Sequence, residues 1–168
     1  MGGVKHSSRP LAVFDLDGTL CDAGHRQHLL ERKPRAWDAF FAAAPDDPPL
    51  AEGVALCLEA AKECEVMYLT GRPERCRADA VAWLAAQGLP EGRLFMRRND
   101  DRRPARRTKL EILRRLARDR EVGMLVDDDE LVCQDAERAG FRVVRAARWG
   151  ASSTTPAMRE AQEREGRT

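Results

Sequence analysis

Apolar positions along the chain fall into short unbroken runs, and between the runs they recur every three or four residues. The runs Leu11-Ala12-Val13-Phe14, Val66-Met67-Tyr68-Leu69-Thr70, Arg93-Leu94-Phe95-Met96, Val122-Gly123-Met124-Leu125-Val126 and Phe141-Arg142-Val143-Val144 predict five strands. Val54, Leu56, Leu58 and Ala61 predict an amphipathic helix over 52–64. Ala80, Trp83 and Leu84 mark the inward face of a helix that starts at Gly71-Arg72-Pro73-Glu74 and stops at Gly88. Leu110, Leu113 and Leu116 line a helix that Lys109 opens and Ala117 closes, and another helix over about 130–139 stops at Gly140. Trp37-Asp38-Ala39-Phe40-Phe41-Ala42 predicts a short helix, ended by the prolines of Pro45-Asp46-Asp47-Pro48-Pro49. Residues 18–30, with Gly18, Gly24 and His25-Arg26-Gln27-His28, predict a turn and a short mobile flap, and 97–108 a basic loop. Strands alternating with helices imply an α/β fold with a parallel, doubly wound sheet. From Ala151 onward Ser, Thr, Arg, Glu and Gln dominate, which predicts a charged, flexible or loosely helical tail over 151–168 behind one domain over 1–150.

In such a sheet the carboxyl ends of the strands share one edge, where open α/β folds place their chemistry. Strand one ends in Asp15 and Asp17, strand two in Thr70 and strand four in Asp127 and Asp128, while Lys109 opens the helix leading to strand four. Aspartates packed this close repel one another unless a cation sits between them, and a hard divalent ion such as Mg²⁺ suits oxygen ligands. An EF-hand loop fits worse, because Gly18 comes two positions too early and the twelfth position from Asp15 is Arg26. Each residue type has a use in phosphoryl transfer. A strand-end carboxylate can attack phosphorus, a second one can pass protons, and a hydroxyl and an ammonium can hold phosphoryl oxygens. The later aspartate pair completes a metal site. Taken singly, each part has a plain structural reading as an acidic turn, a strand end or a solvated helix start. Their joint placement points to chemistry.

Composition narrows the class. A chain of 168 residues with 43% apolar and 34% charged side chains is one ordinary globular domain's worth. Five cysteines, odd in number and without C-x-x-C spacing, predict reduced, packed thiols rather than a disulfide or zinc framework. No apolar stretch reaches membrane-spanning length and residues 1–10 lack a signal peptide's apolar core, so a cytoplasmic protein without a membrane partner is expected. The net charge of +1 hides a local excess: residues 93–120 hold twelve basic and four acidic side chains, a net of +8. That excess suits a phosphate-tracking surface, although Arg114, Arg115 and Arg118 also fit a merely solvated helix face.

Asp15-Leu16-Asp17-Gly18-Thr19-Leu20, Thr70-Gly71-Arg72, Lys109 and Asp127-Asp128 resemble the four motifs of the haloacid dehalogenase (HAD) superfamily over residues 11–147. The resemblance implies a Rossmann-like HAD fold with Asp15 as nucleophile and Asp17 as general acid and base. It also implies that Thr70 and Lys109 hold phosphate, with Thr19 and Gly71 beside it. Mg²⁺ would be bound by Asp15, Asp17 through its carbonyl, and Asp128, with Asp127 in support. Aspartate rather than threonine at position 17 sets the chain with the superfamily's phosphatases and apart from its transport ATPases. A receiver domain would need its acidic residues on other strands. Within the superfamily, Asp22-Ala23-Gly24-His25-Arg26, Trp37-Asp38-Ala39-Phe40-Phe41, Thr70-Gly71-Arg72-Pro73-Glu74 and Met96-Arg97-Arg98 through Lys109 look like the phosphatase half of polynucleotide kinase/phosphatases. In that family, arginines at the positions matching Arg26 and Arg72 bind substrate. Ala105 departs from the pattern, standing where an acidic residue is common.

Two features bear on substrate. Neither the stretch 31–50 nor the stretch from Thr70 to Lys109 is long enough for a cap domain, so the fold is expected to be cap-less with only a small helical insert and an open site. Open sites suit polymer ends, whereas small metabolites usually need enclosure. Arg102 and Arg103 of the basic loop are the expected outer contacts, and His25 and His28 of the flap can also reach phosphate. The expected function is a Mg²⁺-dependent phosphomonoesterase working through an aspartyl-phosphate on nucleic-acid 3′-phosphate ends. The alternatives are a phosphatase of free nucleotides or other small phosphomonoesters, and a catalytically silent nucleic-acid-binding module. No G-x-x-x-x-G-K-[ST] occurs, so a kinase or ligase partner is expected on a separate chain.

Overall fold

The computed structural model describes residues 9–149 and 154–168; residues 1–8 and 150 of the expected domain and 151–153 of the expected tail lie outside them. Five strands form one parallel sheet: β1 Leu11–Phe14, β2 Glu65–Pro73, β3 Leu94–Arg97, β4 Val122–Asp127 and β5 Val143–Arg145. The strand order is β3-β2-β1-β4-β5, so β1 lies at the centre and the chain winds outward to both sides. The helices are α1 Trp37–Ala42, α2 Ala51–Ala60, α3 Arg77–Ala86, α4 Ala105–Leu116, α5 Glu130–Arg138 and α6 Pro156–Glu160.

The period of two in β1 explains the layering. Leu11 and Val13 face α4 and α5, packing with Met67, Leu69, Leu113, Val132 and Ala136. Ala12 and Phe14 face the opposite layer, with Tyr68, Phe40, Cys57 and Trp83. Both faces are covered, which is why the strands read as continuous apolar runs. Among the described residues no helix is long and apolar enough to cross a membrane, and all five cysteines are free thiols.

Several boundaries differ from the sequence reading. Residues 71–73 do not begin a helix. They prolong β2, because Pro73 pairs with Arg97 of β3 and the Arg72 side chain is drawn to the sheet edge. Helix α4 begins at Ala105, so Lys109 stands one turn inside it rather than opening it. The expected mobile flap is a 3₁₀ segment, Gly24–Leu30, whose Arg26, Gln27 and Leu30 are buried. The expected loose tail, where described, is packed as well: α6 continues into a wide turn, Ala161–Glu165, and Met158 and Ala161 join the main core.

Candidate active site

Register brings the site together. Phe14 is level with Tyr68 of β2 and Val126 of β4, so Asp15 emerges beside Asp127 and Thr70 lies one residue further along its strand. Asp15 stays bonded to the sheet through its N–H, which donates to the Val126 carbonyl at 2.9 Å. The next residues turn sharply. Gly18 takes φ +77, and a Cβ there would collide with the Asp128 carboxylate. Glycine is thus required twice, by backbone conformation and by the approach of Asp128.

Lys109 Nζ sits between two carboxylates, 2.6 Å from Asp127 Oδ2 and 3.0 Å from Asp15 Oδ1. Burial alone would favour its neutral form, but Asp127 and Asp15 hold it firmly protonated. The other Asp127 oxygen accepts from the Asp129 N–H at 2.9 Å, so this residue braces Lys109 and the turn into α5. Asp15, Asp127 and Asp128 offer ligand atoms that all lie within 4.8 Å of one another. Burial, then the charge of Asp127, pushes the Asp15 carboxyl up to about 7. Burial and the same crowding push Asp128 well above the usual range. Three crowded oxygen-donor acids, two of them buried, that strain against their own charge fit a hard divalent cation, which would reverse that repulsion.

Asp17 has different company. Its Oδ1 accepts from Arg26 at 2.7 Å and from Arg72 at 2.5 Å, and its Oδ2 accepts from Arg72 Nε at 3.2 Å. Burial would raise its pKa, but Arg72 and Arg26 hold the carboxyl well below the usual range. Both guanidinium groups also rest on Asp47, Arg26 through Nε at 2.8 Å and a terminal nitrogen at 2.7 Å, and Arg72 at 3.2 Å. Arg26 is fully buried, with its guanidinium carbon 4.3 Å from the centre of the Phe40 ring. Two acids and two bases thus form a closed array beside the catalytic edge.

Asp47 is the functional residue that sequence reasoning missed. It sits in the proline cluster, where an aspartate reads as turn chemistry, and only the fold brings it to Arg26 and Arg72. His25 Nε2 also lies 2.6 Å from Asp47 Oδ1, which turns this flap histidine toward Asp47. Because removing one partner strands buried charges, Asp47→Asn is expected to cost about 3–5 kcal/mol of stability, measured by urea unfolding. A loss below ~1 kcal/mol would show that the array does not depend on Asp47.

The remaining expected contacts are placed unevenly. Thr70 is 3% exposed and its Oγ1 accepts from the Arg72 N–H at 3.2 Å, so it lies at the edge with Lys109. The Gly71 carbonyl accepts from Arg97 Nε at 3.0 Å, which fixes the strand end from behind. Thr19 is fully buried against Gly53 of α2, and its Oγ1 has no partner among the described residues. Arg103 shares a crevice with Thr70 and Lys109, but its guanidinium is occupied by Asp101 at 2.8 Å and Glu111 at 2.6 Å. Arg102 donates to the Asn99 and Asp101 carbonyls instead of pointing at the edge.

A family model, the polynucleotide kinase PNKP phosphatase domain, matches residues 10–148. The chain belongs to that family. With it come the HAD superfamily and the class of HAD-type phosphatases. A chain of a Pnkp1/Rnl/Hen1 RNA repair complex is 22% identical with a TM-score of 0.65, covering 85% of this chain and 44% of that one. A Pnkp1/Rnl/Hen1 complex gives 24% identity and a TM-score of 0.66, covering 83% and 46%. The class C acid phosphatase from Bacillus anthracis, with tungstate bound, is 14% identical with a TM-score of 0.64, covering 84% and 68%. This chain spans less than half the length of the repair-complex chains it matches. No curated protein matches it.

Proposed function

We propose that the chain is a Mg²⁺-dependent polynucleotide 3′-phosphatase acting through an aspartyl-phosphate. The observation that carries this reading is the convergence of Asp15, Thr70, Lys109, Asp127 and Asp128, from separate strands and a helix, on one buried edge. Asp15 attacks phosphorus, forming an acyl-phosphate bond as the ester P–O bond breaks. Asp17, which takes up a proton from solvent as the phosphoryl group draws Arg26 and Arg72 away from it, gives that proton to the departing 3′-oxygen, then takes one from the water that attacks the acyl-phosphate. Thr70 and Lys109 hold the phosphoryl oxygens, and Arg26 and Arg72 lie within reach of them once released from Asp17. Asp15 and Asp128, with the Asp17 main chain and with Asp127 behind them, would hold Mg²⁺, which supplies charge to the phosphoryl oxygens.

The 3′-end reading draws on the family and on the repair complexes among the structural neighbours, which also support a separate kinase or ligase acting on the same end. The competing reading, small phosphomonoesters, draws on the low exposure of the edge, where Asp15 is 5% and Lys109 4% accessible. Phosphate release from a 3′-phosphorylated oligonucleotide is expected to exceed that from its 5′-phosphorylated counterpart and from a 3′-mononucleotide. Chelation should stop all three reactions and Mg²⁺ should restore them. Preference for the mononucleotide would move the assignment to small phosphomonoesters. Turnover that survives chelation would remove the metal from the mechanism. Binding of oligonucleotides without Mg²⁺-dependent turnover of any phosphate, a generic aryl phosphate included, would favour the silent module.

A further inference from the structure

The fold has no inserted cap, yet the Asp17 and Asp128 side of its catalytic edge is covered. Residues 154–168 lie beyond the stretch that the family matches, and they cross the edge from one side to the other. On the flap side the Thr155 N–H donates to Gln27 Oε1 at 2.8 Å, and Met158 and Ala161 are buried in the main core. Thr154, Met158 and Gln162 share one crevice with Asp17, Gly18 and Asp128. On the far side the Thr168 main chain lies against Gly71 and accepts from Arg97 at 3.5 Å.

The acids of this segment sit on bases of the domain. Glu160 pairs with Lys33 at 3.2 Å and with Arg35 at 2.5 Å, Glu165 with Arg35 at 2.7 Å, and Glu163 with Arg106 at 3.2 Å. We propose that Lys33, Arg35 and Arg106 form the strip on which the sugar-phosphate chain of a nucleic-acid substrate lies, and that residues 154–168 are a strap whose three glutamates occupy this strip until the substrate displaces it. The inference rests on the polynucleotide reading of the site.

Three observations favour a polyanion as the displacing partner. Each of the strap's three glutamates rests on a basic side chain of the domain, Glu160 and Glu165 on Arg35 and Glu163 on Arg106, and phosphates can take the same places. The basic loop offers less than its charge suggests, since Arg103 is already occupied by Asp101 and Glu111. The strap shares the crevice of Asp17, Gly18 and Asp128, so a polymer crossing that side of the catalytic edge must move it. Displacement loosens ion pairs that salt weakens, since Glu160, Glu163 and Glu165 remain about a third exposed, but it must also lift Met158 and Ala161 out of the core, so only a partner bringing several phosphates offsets it.

The test uses the full chain with Glu160→Gln, Glu163→Gln and Glu165→Gln combined, and a second variant, Lys33→Gln with Arg106→Gln, that leaves the buried Arg35 in place. Both are first checked for native circular dichroism. Wild-type turnover of a generic aryl phosphate should rise with added salt as the strap loosens. The glutamine variant should start several-fold higher and lose that rise. The Lys33/Arg106 variant should also gain on the aryl phosphate but lose affinity for a 3′-phosphorylated oligonucleotide, with a flatter salt dependence because fewer counterions are released. Amide exchange over 155–165 should accelerate when the oligonucleotide binds. Folded glutamine variants with unchanged aryl-phosphate kinetics would overturn the strap, and unchanged oligonucleotide affinity in the Lys33/Arg106 variant would overturn the strip. A wild-type protein inert on every oligonucleotide would instead overturn the polynucleotide reading and, with it, the strip, while the aryl-phosphate results still decide the strap.

Discussion

Asp15→Asn is expected to remove phosphate release, by about 10⁴-fold or more, while leaving the fold intact or firmer. The size follows from deleting the nucleophile of a covalent mechanism. The stability follows from the company Asp15 keeps. Its carboxyl is pushed up to about 7 by burial and by Asp127, so the folded protein holds this proton more tightly than the unfolded chain does. Stability therefore falls as pH rises from the ordinary aspartate value of 3.8 through about 7, because the folded state must then carry the buried charge. An amide of the same shape accepts from Lys109 without adding to the repulsion among Asp127 and Asp128. Thermal unfolding without added divalent ion should show a flatter pH slope for the variant, and steady-state assays should show no turnover. A folded variant with near-normal activity would end the covalent mechanism.

What the sequence made legible, and what it hid, divides by the range of the interactions. The five strands and the edge residues Asp15, Thr70, Asp127 and Asp128 were readable because apolar runs mark strands and a parallel sheet puts their ends together. Lys109 was readable from its place before strand four, whereas Arg26 and Arg72 were readable only through the family resemblance, since an arginine buried as fully as Arg26 contradicts the usual surface habit of that residue. Asp47 gave no signal, because its partners lie 21 and 25 residues away and ion pairs across a fold leave no periodicity. The strap was misread for a related reason. Its polar composition describes a loose tail, but Met158 and Ala161 fall three apart on one face, and the bases that hold its glutamates lie far back in the chain.

The array around Asp17 also shapes the second large effect. A general acid must carry a proton when the leaving oxygen departs, whereas Asp17 at rest is held ionised by Arg72 and Arg26 against the pull of burial. An arriving phosphoryl group brings oxygens that compete for the same guanidinium N–H groups. Once the arginines turn to the phosphate, Asp17 is left to its burial, which favours the protonated acid. On the proposed mechanism, binding thereby arms the acid, and the arginines serve both states. Asp17→Asn keeps the shape and an acceptor for Arg72 but has no proton to give, so turnover of alkyl phosphates should fall by about 10²–10⁴-fold. An aryl phosphate, whose leaving oxygen needs little protonation, should form the phospho-enzyme at a rate much closer to normal, and its slow step should shift to hydrolysis of that intermediate. Single-turnover mixing with the two substrate types separates these steps. Equal defects for aryl and alkyl leaving groups in the first step would assign Asp17 to holding Arg26 and Arg72 rather than to proton transfer.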